Sequence, residues 1–271
     1  MFKCKDCRRQ FSPLADSIFQ DTHIPLRVWF LAVYLLTTDG ISSTNLGHKV
    51  GITQKTAWIL IQRIMVAMEE KDIVLSGLVQ IDEMYYGAKS RGRSTARYSN
   101  KHAIMGAVEA RRGGKAVFAV VKQPDTTVAR LFIEQHIKPD ATIHTDESRI
   151  YGWVRHRYEH ATVNHSQRQY VVEGVTSNKI ENSWMHTKRV IKGRHIWVSG
   201  KHLSTYVTGG HQFRYNARDL SADQRLDKWF GQAWGKTLTY KQLLAKRAVE
   251  PLALRGWARR RAALPVQTTL F

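Results

Sequence analysis

The chain has 271 residues, 43% of them hydrophobic and 10% aromatic, enough to bury a sizeable core and too many for general disorder. Lys and Arg total 42 against 22 Asp and Glu, a formal net charge of +20, and such a field attracts polyanions, nucleic acid before an anionic membrane. The longest apolar run, Val28 to Leu36, is far short of the ~20 residues a membrane span needs, no apolar signal core opens the chain, and two cysteines build no disulfide framework, so a cytoplasmic protein with no membrane partner is expected.

FKCKDCRRQFSP places Cys4 and Cys7 on a basic knuckle at zinc-ligand spacing. Zinc takes four ligands and no second cysteine pair follows, so residues 1–20 read as a partial zinc-ribbon remnant whose Zn2+ ligand set is incomplete. Residues 21–73 read as helical. HIPLRVWFLAVYLLTTDG is a helix with Pro25 in its first turn and Gly40 at its end. Ser42 or Ser43 then caps a short helix, Gly51-Ile52-Thr53 makes a turn, and a longer helix carries Ala57, Trp58, Ile61, Ile64 and Met65. That is a helix-turn-helix pattern, with Gln54, Lys55 and Thr56 at the exposed helix start where base edges are met; a plain helical hairpin is the alternative.

LVQIDEMYYG reads as a strand between Gly77 and Gly87. The basic loop after it, AKSRGRSTARYSNK, offers Lys89, Arg91 and Arg93 as candidate DNA contacts. AIMGAVEARR and KAVFAVVK form a hairpin through Gly113-Gly114, and DTTVARLFIEQHIK is an amphipathic helix. ATIHTDES is a fourth strand, IYGWVRHRYE a helix, HATVNHS a fifth strand, and TSNKIENSWMHTKRVIKGR a helix that stops at Gly193. Three strands, helix, strand, helix, strand, helix is an α/β arrangement, a mixed sheet flanked by helices. From Asp219 to Phe271 the chain reads as a basic C-terminal tail, partly ordered, with one helix and the cluster Arg255 to Arg261.

Acids are scarce, so their placement is informative. Asp82 lies inside the first strand and Asp146 at the end of the fourth. A carboxylate in a core strand is costly unless paired or bound to a cation. If those strands are neighbours, the two acids meet at one edge of the sheet, and carboxylates there suit Mg2+ or Mn2+. Glu83 stands beside Asp82; strand alternation lets only one face a given site, and pattern does not choose between them. Asn178-x-x-Glu181 resembles a capping box, yet Glu181 also opens a helix that follows the fifth strand. Lys188 lies two turns on and on nearly the same face, poised for a DNA phosphate or else a solvated cation near the helix end. His144 and His165 stand as candidate supports for the acids.

IDEMYYG, IHTDESRIYG, NHS before TSNKIENSWMHTKRVIKG, then KHL and FRYNAR, together resemble the IS1595 family of transposases, also called ISXO2-like, of the DDE group. CRRQFS and the helix-turn-helix resemble that family's N-terminal half, so the resemblance covers about residues 2–218. It implies an RNase H-like catalytic core over residues 75–218, with Asp82, Asp146 and Glu181 as Mg2+ (or Mn2+) ligands and Lys188 as the basic residue two turns after the glutamate. It implies two-metal phosphoryl transfer that cuts element ends and joins the 3′-OH to target DNA. Double-stranded DNA and a homo-oligomer are the implied partners. Two features depart from the family: the half ribbon, and Gly209-Gly210-His211 where an unbroken helix is expected. Glycine costs about 1 kcal/mol in a helix interior. These departures motivate the alternative of a truncated, non-transposing DNA-binding protein that occupies element ends.

Overall fold

The computed structural model describes residues 2–70, 72–87, 101–163, 171–172 and 175–245. Five strands form the central sheet: β3 (Leu78–Gly87), β4 (Lys101–Glu109), β5 (Ala116–Val121), β6 (Thr142–Asp146) and β7 (Glu159–Val163). Their order is β5-β4-β3-β6-β7, with β3, β4 and β5 antiparallel and β6 and β7 joined in parallel. The expected neighbourhood of first and fourth strands is present, but mid-sheet rather than at an edge. Pairing runs Leu78 with Thr142 to Gln80 with His144, so Asp82 and Asp146 are level, four residues beyond the first pair.

Alternation along the strands divides the core in two. Val79, Ile81, Met105, Ala107 and Val117 pack under α4 (Thr126–His136) with Tyr151 and Val154. On the other face, Met84, Ile104, Val108 and Phe118 pack against α5 (Asn178–Arg194) and the helical stretch 200–212; α3 (Gln54–Met68) lies over that stretch and α1 (Leu26–Thr37) packs on α3, all within one hydrophobic cluster. Asp125 caps α4, its carboxylate accepting from Val128 N at 2.8 Å. Between α2 (Ser43–Val50) and α3 lies the expected turn, with Gly51 at φ 70° and Ser42, not Ser43, capping α2 through Asn45 N. Near the N-terminus, β1 (Phe2–Lys3) pairs with β2 (Gln10–Phe11). No helix among the described residues is long and apolar enough to cross a membrane.

Four expectations are corrected. IYGWVRHRYE is not a helix but two 3-10 turns, Arg149–Tyr151 and Val154–His156. Tyr151 and Val154 are three residues apart, the spacing that 3-10 geometry brings to one face, and both are buried. Second, Asn178 does not cap α5. Ser177 holds that position, and its hydroxyl donates to Glu181 Oε1 (2.6 Å) instead of serving the backbone. Third, the double glycine interrupts no helix. Residues 200–216 are helical throughout: α6 (Gly200–Ser204), a π-helical stretch (Thr205–Gln212) and α7 (Phe213–Asn216). A side chain at Gly209 would run into the Met65 carbonyl oxygen, so glycine there lets the stretch press directly on α3.

The fourth correction concerns the tail. Its part from 219 to 245 packs on the core and holds two helices where one was expected. A capping box between Ser221 and Gln224 starts α8 (Ala222–Phe230). Trp229 is fully buried, and its Nε1 donates to Ile64 O at 3.1 Å. Ile18 N donates to Ala233 O, and α9 (Tyr240–Ala245) buries Leu243. The cluster Arg255 to Arg261 lies outside the described residues.

Candidate active site where β6 ends beside β3

An open cleft of about 550 Å3 is lined by Asp82, Glu83, Asp146, Glu181, Trp184 and Lys188, among others. Register puts Asp82 opposite Gly106 on β4. The Trp184 ring of α5 lies over that glycine, where any side chain would collide with it. Its Nε1 donates to Asp82 Oδ2 (2.8 Å), which orients the carboxylate. Glu83 points to the opposite face, where the Tyr151 hydroxyl donates to its Oε1 (2.7 Å). Asp146 Oδ1 accepts from Ser148 N (3.0 Å).

Helix α5 is aimed by the sheet itself. The side-chain carbonyl of Gln80, fully buried on β3, accepts from Lys179 N (2.9 Å) and Ile180 N (3.2 Å). These are unpaired first-turn N–H groups, so a strand residue caps the helix that carries Glu181 and Lys188.

Asp82, Glu83 and Asp146 each offer a carboxylate oxygen within 4.8 Å of the others. Glu181 and Lys188 line the same cleft but stand outside that group. Burial raises the Asp82 pKa, against the hydrogen bonds from Trp184 and the Glu83 N–H, and the charges of Asp146 and Glu181 push it further up. Burial likewise lifts Glu83 to about 7, with Tyr151 opposing and Asp146 and Asp82 adding. None of Asp82, Glu83 and Asp146 has an ion-pair partner among the described residues. Crowded carboxylates with oxygen donors only and no paired cation fit a hard divalent cation. Glu83 is thus as well placed as Asp82 to meet Asp146, which sequence alternation does not disclose. Gln80, two residues before Asp82 on the same strand face, carries a readable signal: a polar side chain in a core strand.

The other candidate residues lie elsewhere. Cys4 and Cys7 are neighbours in the β1–β2 hairpin; backbone N–H groups of Cys7 and Asp6 and the Cys7 thiol lower the Cys4 pKa. Among the described residues no third ligand joins them in a metal-competent group. Gln54 and Lys55 are exposed at the start of α3 and Thr56 is half-buried; Gln54 Nε2 donates to Ser43 Oγ (2.9 Å) and Lys55 sits 5.2 Å from the Tyr240 ring centre. His144 is buried on β6. Lys89, Arg91, Arg93 and His165 lie outside the described residues.

A mixed five-stranded sheet flanked by helices, with acids gathered where β6 ends beside the middle of β3, fits the α/β core of a transposase. Residues 74–216 match the family described as the ISXO2-like transposase domain, and the chain belongs to that family. It is also 27% identical over 222 residues to the "Uncharacterized protein in transposable element ISH50" of Halobacterium salinarum, covering 76% of this chain and 75% of that protein. Among solved structures, a chain of the cryo-EM structure of the simian T-cell lymphotropic virus intasome in complex with PP2A regulatory subunit B56 gamma aligns at 12% identity. It covers 88% of this chain and 78% of that one with a TM-score of 0.27, too low to carry an argument.

Proposed function

We propose that this insertion-sequence transposase cuts the ends of its element and joins the freed 3′-OH to target DNA on an RNase H-like core over residues 75–218. The observation that carries the reading is the convergence of Asp82, Glu83 and Asp146 within 4.8 Å in a cleft shared with Glu181 and Lys188. Asp82, Asp146 and Glu181 would hold Mg2+ or Mn2+, with Glu83 in reach to share that role. Such ions, when bound, activate the attacking oxygen and stabilise the leaving one. The chain's own residues prepare the site. Trp184 fixes Asp82, Gln80 fixes the start of α5, and the exposed Lys188 offers its ammonium to a DNA phosphate. Gln54, Lys55 and Thr56 on α3, with Lys89, Arg91 and Arg93, take the duplex, and two copies pair two element ends in the cytoplasm.

A non-transposing DNA-binding protein is not favoured. The acids are assembled in one cleft, and the double glycine serves packing against α3 rather than marking decay. The test is nicking of an element-end duplex in Mg2+, followed by joining of a pre-cut 3′ end to a second duplex. Asp82→Asn and Asp146→Asn should each abolish both reactions. Nicking by these variants at the wild-type rate would sink the proposal, and nicking without joining would reduce it to a nuclease.

A further inference from the structure

A second concavity lies on the other side of α5. It measures about 350 Å3, and Lys179, His186 and Val190 of α5 face Arg214, Tyr215 and Arg218 across it. Among the described residues no carboxylate lines it. At 3.6 residues per turn, positions 179, 182, 186 and 190 fall roughly 140° round the helix from 181, 185 and 188, which face the acids. One helix therefore separates an acidic cleft from a cationic pocket. The ridge between them is exposed and carries Met185 and Arg189, with Lys188 and Lys192 beside it.

Arg214 supplies an independent observation. Its Nη2 is buried with no hydrogen-bond partner, and Arg214 forms no ion pair among the described residues. Burial, and then the charge of Arg194, lowers its pKa to about 10. A buried guanidinium with no acid against it is costly until an anion arrives. Arg218 is set for such an anion. Its guanidinium stacks 4.3 Å from the Tyr215 ring centre and donates to Tyr215 O, while Asp219 reaches it only at 4.0 Å.

We propose that this pocket is a phosphate-binding subsite that takes a backbone phosphodiester of DNA, gripping a strand that crosses α5 to reach the acids. The proposal rests on the DNA-processing reading of the acidic cleft. The cations along the ridge favour a polymer over a free anion, because they make a continuous path between the two sites.

The experiment is fluorescence anisotropy of a labelled DNA duplex with the full chain in EDTA, across a salt series. Lys179→Ala and Arg218→Gln are the variants, since Lys179 is exposed and Arg218 half-buried. Lys122→Ala, on an exposed site away from both cavities, is the control. Each pocket variant should weaken binding severalfold and lower the slope of log K against log salt by about 0.9 for each phosphate no longer held, with the control unchanged. Wild-type affinity and slope in both pocket variants, while the wild-type protein itself binds duplex, overturns this inference alone. Failure of the wild-type protein to bind duplex overturns it together with the transposase mechanism. Inorganic phosphate is the second probe: it should compete with duplex in the wild-type protein and compete less in Arg218→Gln. Phosphate binding abolished in that variant while duplex affinity stays at the wild-type value assigns the pocket to a free anion and overturns the DNA-backbone role.

Discussion

Trp184 carries two functions in one ring. It fills the space over Gly106, and its N–H holds Asp82. Trp184→Phe keeps most of the packing and removes the donor. A hydrogen bond to a charged group is worth about 1.5–3 kcal/mol, so the variant should lose up to about that much stability, and nicking should also fall, by about 10- to 100-fold, at a temperature where it remains folded. Wild-type nicking by the folded variant would show that the ring acts by packing alone. The bond joins residues 102 apart, which explains why the sequence reveals Asp82 and Asp146 as acids on core strands of a basic chain but not the group that orients them. Glu83 is undecidable from sequence for a different reason. Alternation sends it and Asp82 to opposite faces, yet Asp146 lies past the last β3–β6 pair and is in reach of both. His211 offers a pH test. It is buried against Phe118 with its Nε2 3.2 Å from Ser183 Oγ, and burial, then the charges of Arg214 and His186, lower its pKa to about 3. The unfolded chain binds that proton near the ordinary value of 6.5 and the folded chain does not. Stability from this group is therefore full above about pH 6.5 and is lost as pH falls toward 3. Urea midpoints measured from about pH 7 down to about pH 4 should drop more steeply for the wild-type protein than for His211→Gln. Parallel curves would refute the assignment.

At the scale of elements, helix α5 is placed by Gln80 more than by any cap of its own. Asn178 and Glu181 mark its start in the sequence, and its existence and length are legible there, but the partner of its first N–H groups sits on a strand about a hundred residues earlier. Gln80→Met keeps the volume and strands those N–H groups in the core, which should cost about 1–3 kcal/mol. Because the same helix carries Glu181 and Lys188, nicking should suffer beyond what the reduced stability explains, and Gln80→Glu, which restores an acceptor, should recover part of it. If Gln80→Met is unstable but fully active at low temperature, Gln80 does not position the helix for catalysis. The glycine pair obeys the same logic of distant partners. Helix propensity counts Gly209 and Gly210 as equal penalties, whereas their surroundings differ. A methyl at Gly209 meets the backbone of Met65, while one at Gly210 meets the far end of the Met65 side chain at 3.1 Å. Gly209→Ala should therefore lose about 1–3 kcal/mol by overpacking, and Gly210→Ala little or none. Equal melting temperatures for the two variants would contradict the packing role.

The whole molecule follows from which surfaces the sheet leaves to cover. Sequence alone divides the chain at residue 73 into a helical DNA-binding region and a catalytic domain, and sets everything after 218 apart as a tail. Those boundaries follow changes in composition, and composition does not record what packs on what. In the folded chain Trp29 and Leu46, Met84 and Ile104, Trp184, Phe213 and Trp229 all belong to one hydrophobic cluster. Phe19 stacks edge-on against both Trp29 and Trp229, and Lys236 donates to the carbonyl oxygens of Ala67 and Glu69 at the end of α3. A core shared in this way cannot melt in halves without exposing the faces that α3 and residues 205–212 press together. The full chain should accordingly unfold in one thermal transition, with calorimetric and van't Hoff enthalpies in agreement. Trp229→Ala should lower that transition as a whole, by about 3–5 kcal/mol, rather than detach a tail. A fragment of residues 75–218 should show no cooperative melt, since it lacks α3, against which the helical stretch over its own sheet packs. Two resolved transitions in the full chain, or a fragment that melts cooperatively at the wild-type temperature, would return the helical region and the tail to the status of separate parts.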